Sequence, residues 1–121
     1  MKYMLLIHAN PETITGRSEE ETMKVYAEID AITSELSKSG ELIGGEALAD
    51  VSQSKVVRAP GGVPVTTDGP FVEAKEHLAG YLIVETESVE RAIEIAARWP
   101  DAREGGAMEV RPIMDTGGTE M

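Results

Sequence analysis

Cysteine is absent from all 121 residues, so disulfides, thiolate nucleophiles and cysteine-ligated metals are excluded. Histidine occurs only at positions 8 and 77, too few for a multi-histidine metal centre. There is one Phe, Phe71, and one Trp, Trp99. No apolar run approaches the roughly 18 residues of a membrane-crossing helix. The opening MKYMLLIHANPE has a four-residue apolar run and no small-residue cleavage site, so it does not read as a signal peptide. Basic residues are scarce: 11 against 22 acidic ones, for a net charge of −11. Such a chain repels phosphate, so neither nucleic acid nor an anionic membrane is expected as a partner. Also missing are G-x-G-x-x-G, a P-loop and G-x-S-x-G, which removes nucleotide, kinase and α/β-hydrolase readings. Gly44-Gly45 and Gly61-Gly62 are too short to cradle a phosphate. No cofactor is expected.

What is present is globular. Hydrophobic residues make up 41% and charged residues 27%, in a length that supports one hydrophobic core. A single domain over 1–114 with a tail at 115–121 is expected, in the cytoplasm. Residues 2–8, KYMLLIH, read as a strand, and NPETITG after them as a loop punctuated by Asn10, Pro11 and Gly16. Ser18 with Glu21 has capping-box spacing, and Glu19, Glu20 and Glu21 suit the positive end of a helix. Val25, Ile29, Ile32 and Leu36 then form one apolar stripe, and Gly40 ends the helix.

ELIGGEAL (41–48), SKVVRAP (54–60) and VPVTTDG (63–69) read as strands, the last two joined by a turn at Gly61-Gly62. GYLIVET (80–86) is a further strand. Ser88 caps a second helix with Val89, Ile93 and Ala96 on one face and Pro100 at its end. Met108–Met114 is the last strand. This order predicts an α+β fold, a ferredoxin-like split βαβ with an added hairpin and both helices on one face of the sheet. The other face does not read polar. Tyr3, Leu5 and Ile7 alternate with Met4, Leu6 and His8, and Tyr81 and Ile83 with Leu82 and Val84. Each large apolar side chain left in water forgoes about 1.5–3 kcal/mol of burial. Two copies packing sheet against sheet are therefore expected, as a homodimer.

The densest polar stretch is TTDGPFVEAKEH (66–77). Asp-Gly-Pro is a turn sequence in its own right, so the stretch reads either as a structural turn or as a loop displaying Asp68, Glu73 and Lys75 around a cleft. DGPF (68–71) followed by EAKEHLAGY (73–81), with GELIGG at 40–45, ARWP closing the second helix and MEVRPIM at 108–114, resembles the DGPF branch of the YCII-related proteins. The resemblance spans roughly 1–114 and implies a dimeric α+β barrel. It also implies a neighbourhood of sigma factors, and hence a regulatory alternative to catalysis. Some relatives carry a His on the first helix paired with an Asp. Residues 18–39 here contain no His, so that pair is not carried over.

The expected function is the binding of a polar or acidic small molecule in a pocket at the barrel end, with cofactor-free acid–base chemistry if it is an enzyme. Asp68, His8 and His77 are the candidate acid–base groups. Glu73, Lys75 and Arg111 are the candidate ligand-binding groups, with Arg111 either clamping an anion or pairing with Glu73 or Asp68 to lock the loop. Phe71 is expected to anchor that loop in a pocket, Trp99 to seat the second helix on the sheet, and Met4, Met23, Met108 and Met114 to fill the core.

Overall fold

The computed structural model describes residues 1–69, 71 and 75–114. Strand β1 (Lys2–Ala9) leads through a short helix α1 (Pro11–Gly16) into the long helix α2 (Glu19–Ser39). After β2 (Leu42–Ala47) come the paired strands β3 (Lys55–Arg58) and β4 (Val65–Asp68), which turn through Pro60–Gly62. The chain continues as β5 (His77–Glu85), α3 (Val89–Arg98), the single turn α4 (Pro100–Arg103) and β6 (Ala107–Pro112). The four longer strands form an antiparallel sheet in the order β2-β5-β1-β6, and β3 and β4 form a separate two-stranded sheet. This is the expected ferredoxin-like α+β arrangement with its added hairpin.

The ends of α2 follow from its sequence. The Ser18 hydroxyl accepts from the Glu21 N–H at 3.1 Å, and the Glu21 carboxylate accepts from the Ser18 N–H at 3.4 Å. Gly40 closes the helix at φ 81°, the left-handed cap that favours glycine. The expected loop after β1 is instead α1. There the Asn10 side chain accepts from the Glu12 N–H at 3.0 Å, and Pro11 takes the first helical position, where a missing N–H costs nothing. Pro100 likewise does more than end α3, because it opens α4.

The core joins Tyr3, Leu5, Leu82 and Val84 of the sheet to Ile32 and Leu36 of α2 and to Ala92, Ile95, Ala96 and Trp99 at the end of α3. Trp99 is 4% exposed and seats α3 on the sheet. Of the expected face of α3 only Ala96 is buried. Ala92, Ile95, Ala96 and Trp99 recur at helical steps toward the sheet, which turns Val89 and Ile93 outward. Met23 and Met114 are exposed rather than core, and Met4 and Met108 are half-buried. Gly80 lets β2 approach closely, since a Cβ there would stand 2.7 Å from the Glu46 carbonyl oxygen. On the sheet face away from this core lie Met4, Leu6, Tyr81 and Ile83, each half-buried.

Candidate functional site

The residues singled out in the sequence separate into three places. On the sheet face away from the helices, His8 Nε2 lies 3.0 Å from Glu109 Oε1. The other Glu109 oxygen accepts from Arg111 Nε at 3.1 Å and also from Arg111 Nη2. Strand register makes this row, because Glu109 and Arg111 stand opposite Leu6 and Met4 of β1. Arg111 first, and His8 second, hold the Glu109 carboxyl below the usual carboxylate range. Arg111 thus spends its donors within its own strand rather than on Asp68.

Asp68 belongs to the other sheet. It faces Lys55 across the β3–β4 pair and forms an exposed ion pair with it. Phe71 is 70% exposed and lies 5.4 Å from the Arg58 guanidinium, a cation–π contact in place of the expected pocket. Lys75 is exposed, and Glu73 lies outside the described residues. His77 begins β5 and lines a hollow of about 270 Å³ with Ile14, Leu48, Val51 and Asp50. The Asp50 carboxyl there is lowered chiefly by hydrogen bonds from Ser52, with His77 adding a smaller attraction.

A larger cavity lies elsewhere, between α2 and the sheet. It is a cleft of about 510 Å³, in the size range of small-molecule sites. Val25, Tyr26 and Ile29 of α2 form one wall; Ile7, Ala9, Ala47, Ala79 and Leu82 form the sheet side, with Trp99 at the base. The walls exist because Val25 and Ile29 continue the stripe of Ile32 and Leu36 toward the start of α2, where the sheet side is mostly small, with Ala9, Gly45, Ala47 and Ala79. Those two residues stay half-buried while Ile32 and Leu36 are buried. Thr22, Thr33, Arg17, Glu46 and Asp101 are the polar and charged groups of the lining, beside Tyr26 and Tyr81.

Arg17 and Asp101 are the unusual pair. The Arg17 side chain is only 11% exposed, its sole ion-pair contact among the described residues is to Glu104 at 3.4 Å, and its buried Nε has no hydrogen-bond partner. Leaving such a donor unmade costs about 1–3 kcal/mol. Burial raises the Asp101 carboxyl above its ordinary range, and the nearby Arg17 charge offsets only part of that. Neither residue stands out in the sequence. Arg17 falls between Gly16 and the cap Ser18, and Asp101 reads as one more surface acid. Their burial depends on α1 and α4, whose short helices fold the chain back against the open end of the cleft.

A carboxyl, a guanidinium and hydroxyls beside apolar walls equip the cleft to orient a small polar molecule and to move a proton. Among the described residues no group of three or more His, Asp or Glu side chains is placed to hold a metal ion, and no helix is long and apolar enough to cross a membrane.

The chain is similar to known proteins along nearly its whole length. It is 27% identical over 114 residues to an uncharacterised protein of Rhizobium meliloti (strain 1021), covering 93% of this chain and 92% of that one. Its fold is similar to that of the 5-chloro-2-hydroxyhydroquinone dehydrochlorinase of Burkholderia phenoliruptrix AC1100, solved in complex with 2,5-dihydroxybenzoquinone. That likeness has a TM-score of 0.58 at 16% identity and covers 99% of this chain and 100% of the other. With the model of the YCII-related domain matching residues 1–116, the chain belongs to the YCII-related family.

Proposed function

We propose that this protein binds a small polar molecule in the cleft between α2 and the sheet, and that the chemistry its lining can carry is proton transfer. The observation that carries this reading is the cleft itself: about 510 Å³ of mostly apolar space with Arg17 and Asp101 among its few polar groups. That the dehydrochlorinase of similar fold holds a dihydroxybenzoquinone supports a molecule of ring size. Asp101 is the group we assign to proton exchange, because burial raises its carboxyl above the ordinary range. The row His8–Glu109–Arg111 faces the proposed partner copy instead, in a homodimer formed through Met4, Leu6, Tyr81 and Ile83. Membership of the DGPF branch and a cytoplasmic location belong to the same reading.

Native mass spectrometry of the purified protein, with and without added 2,5-dihydroxybenzoquinone, tests it. A ligand mass that is released on denaturation, and that is lost in Val25→Trp because the indole fills the cleft, is the expected result. Equal retention of the ligand by the folded Val25→Trp protein would place binding elsewhere.

A further inference from the structure

We propose that the cleft selects an anionic ligand, an apolar ring bearing a carboxylate or an equivalent acidic oxygen, with its negative charge received by the Arg17 guanidinium. This deepens, and rests on, the reading of the cleft as a small-molecule site.

The argument is a comparison among the six arginines of the chain. Arg91 holds Glu41 through two bonds of 2.8 and 2.9 Å, and Arg103 holds Glu28 at 2.7 and 2.8 Å. Arg98 and Arg111 are likewise bonded to Glu35 and Glu109. Arg58 lies over the Phe71 ring at the surface. Among the described residues, Arg17 alone combines a side chain only 11% exposed with one loose carboxylate contact and a donor without an acceptor. A chain with 22 acidic residues has no shortage of partners for a cation. Its most confined arginine is nonetheless the one left undersatisfied among the described residues, and that arginine lines the cleft.

An arriving carboxylate satisfies it. Nε and Nη2 form the side-on edge of a guanidinium, which matches the two oxygens of a carboxylate. Nε has no open surface in the present arrangement. The side chain therefore turns about its own torsions and gives up the 3.4 Å contact with Glu104 to receive the anion. The carboxylates that would repel an anion are Asp101 and Glu46 of the lining and Glu104 beside Arg17; burial raises the Asp101 carboxyl, and solvent screens the exposed Glu46 and the partly exposed Glu104. The ring of the ligand lies against Val25, Ile29 and Trp99.

Benzoate and benzamide share a ring and differ in charge, so they separate the charge requirement from the cavity. Each is titrated at neutral pH into the wild-type protein, Arg17→Gln, Arg17→Lys and Val25→Trp, following the backbone amide resonances of the cleft. Benzoate is expected to bind about tenfold more tightly than benzamide. That preference should vanish in Arg17→Gln, persist in part in Arg17→Lys, and both ligands should be lost in Val25→Trp. Equal binding of the two by the wild-type protein, lost in Val25→Trp, overturns the charge selection and leaves the cleft reading standing. No change at any cleft resonance at roughly millimolar ligand overturns the cleft reading itself. The wild-type comparison decides the matter even if Arg17→Gln fails to fold.

Discussion

Asp101 shows how one side chain can work against the fold that holds it. Burial is the first cause of its raised carboxyl, with the Arg17 charge pulling the other way. A carboxyl whose folded value lies above its unfolded one binds its proton more tightly in the native state. Stability then falls as pH rises through the ordinary carboxylate range toward the raised native value. Asp101→Asn removes the titrating group, so it should melt a few degrees higher than the wild type at neutral pH. The gap should close below about pH 4, where both states of the wild type carry the proton. Thermal unfolding at pH 7 and near pH 3.5 reads this directly. A lower melting temperature for the variant at neutral pH would mean that attraction to Arg17 outweighs burial.

Between elements, the best-made ion pair ties the end of the α2 region to α3. Glu41, just after the Gly40 cap, accepts from Arg91 through two bonds and from the Ser39 hydroxyl at 2.8 Å. The Arg91 bond, first, and the Ser39 bond, second, bring its carboxyl down to about 2. A lowered carboxyl contributes stability that is full above its unfolded value near 4.3 and is lost as pH falls toward about 2. Glu41→Gln should therefore cost about 1 kcal/mol at neutral pH, with a difference in urea midpoint that narrows as the pH is taken down toward 2. A constant difference across that range would assign the loss to geometry rather than to charge.

Legibility also divides at this scale. The capping box of α2, its stripe and its Gly40 stop are local signals, and they place the helix to within a residue. The run NPETITG carried a helix start too, with Asn10 before Pro11. Three turn-forming residue types in seven positions masked it, because the same residues serve turns and helix caps. The face of α3 is hidden for a different reason: Val89 and Ile93 are larger than Ala92 and draw the stripe toward themselves, but small residues are what allow a helix to sit close to a sheet. The site was harder still. Strand register brings His8, Glu109 and Arg111 into one row across two strands, and Arg17 and Asp101 become a pair only when two short helices fold over the same cavity. No spacing in the sequence records that.

At the scale of the whole molecule, one face of the sheet remains to be accounted for. Met4, Leu6, Tyr81 and Ile83 stand together there, flanked by the charged row of His8, Glu109 and Arg111. A second copy packed on this face would bury the apolar group and surround the row with protein. Sedimentation should show a dimer at micromolar concentration for the wild type. Leu6→Glu should shift it to monomer while leaving the helical content unchanged, since Leu6 points away from the core. A wild-type monomer would remove the dimer from the picture, and the cleft reading would stand without it. The cleft lies on the opposite side of the sheet, so each copy of a dimer would hold its own. Its floor also contains the single tryptophan of the chain, shielded from water at the foot of α3. One emitter per copy, seated where a guest would rest, makes the unlabelled protein its own optical gauge: arrival of a quinone or an anion changes the colour and yield of its ultraviolet fluorescence, and nothing elsewhere in the chain competes with that signal at indole wavelengths.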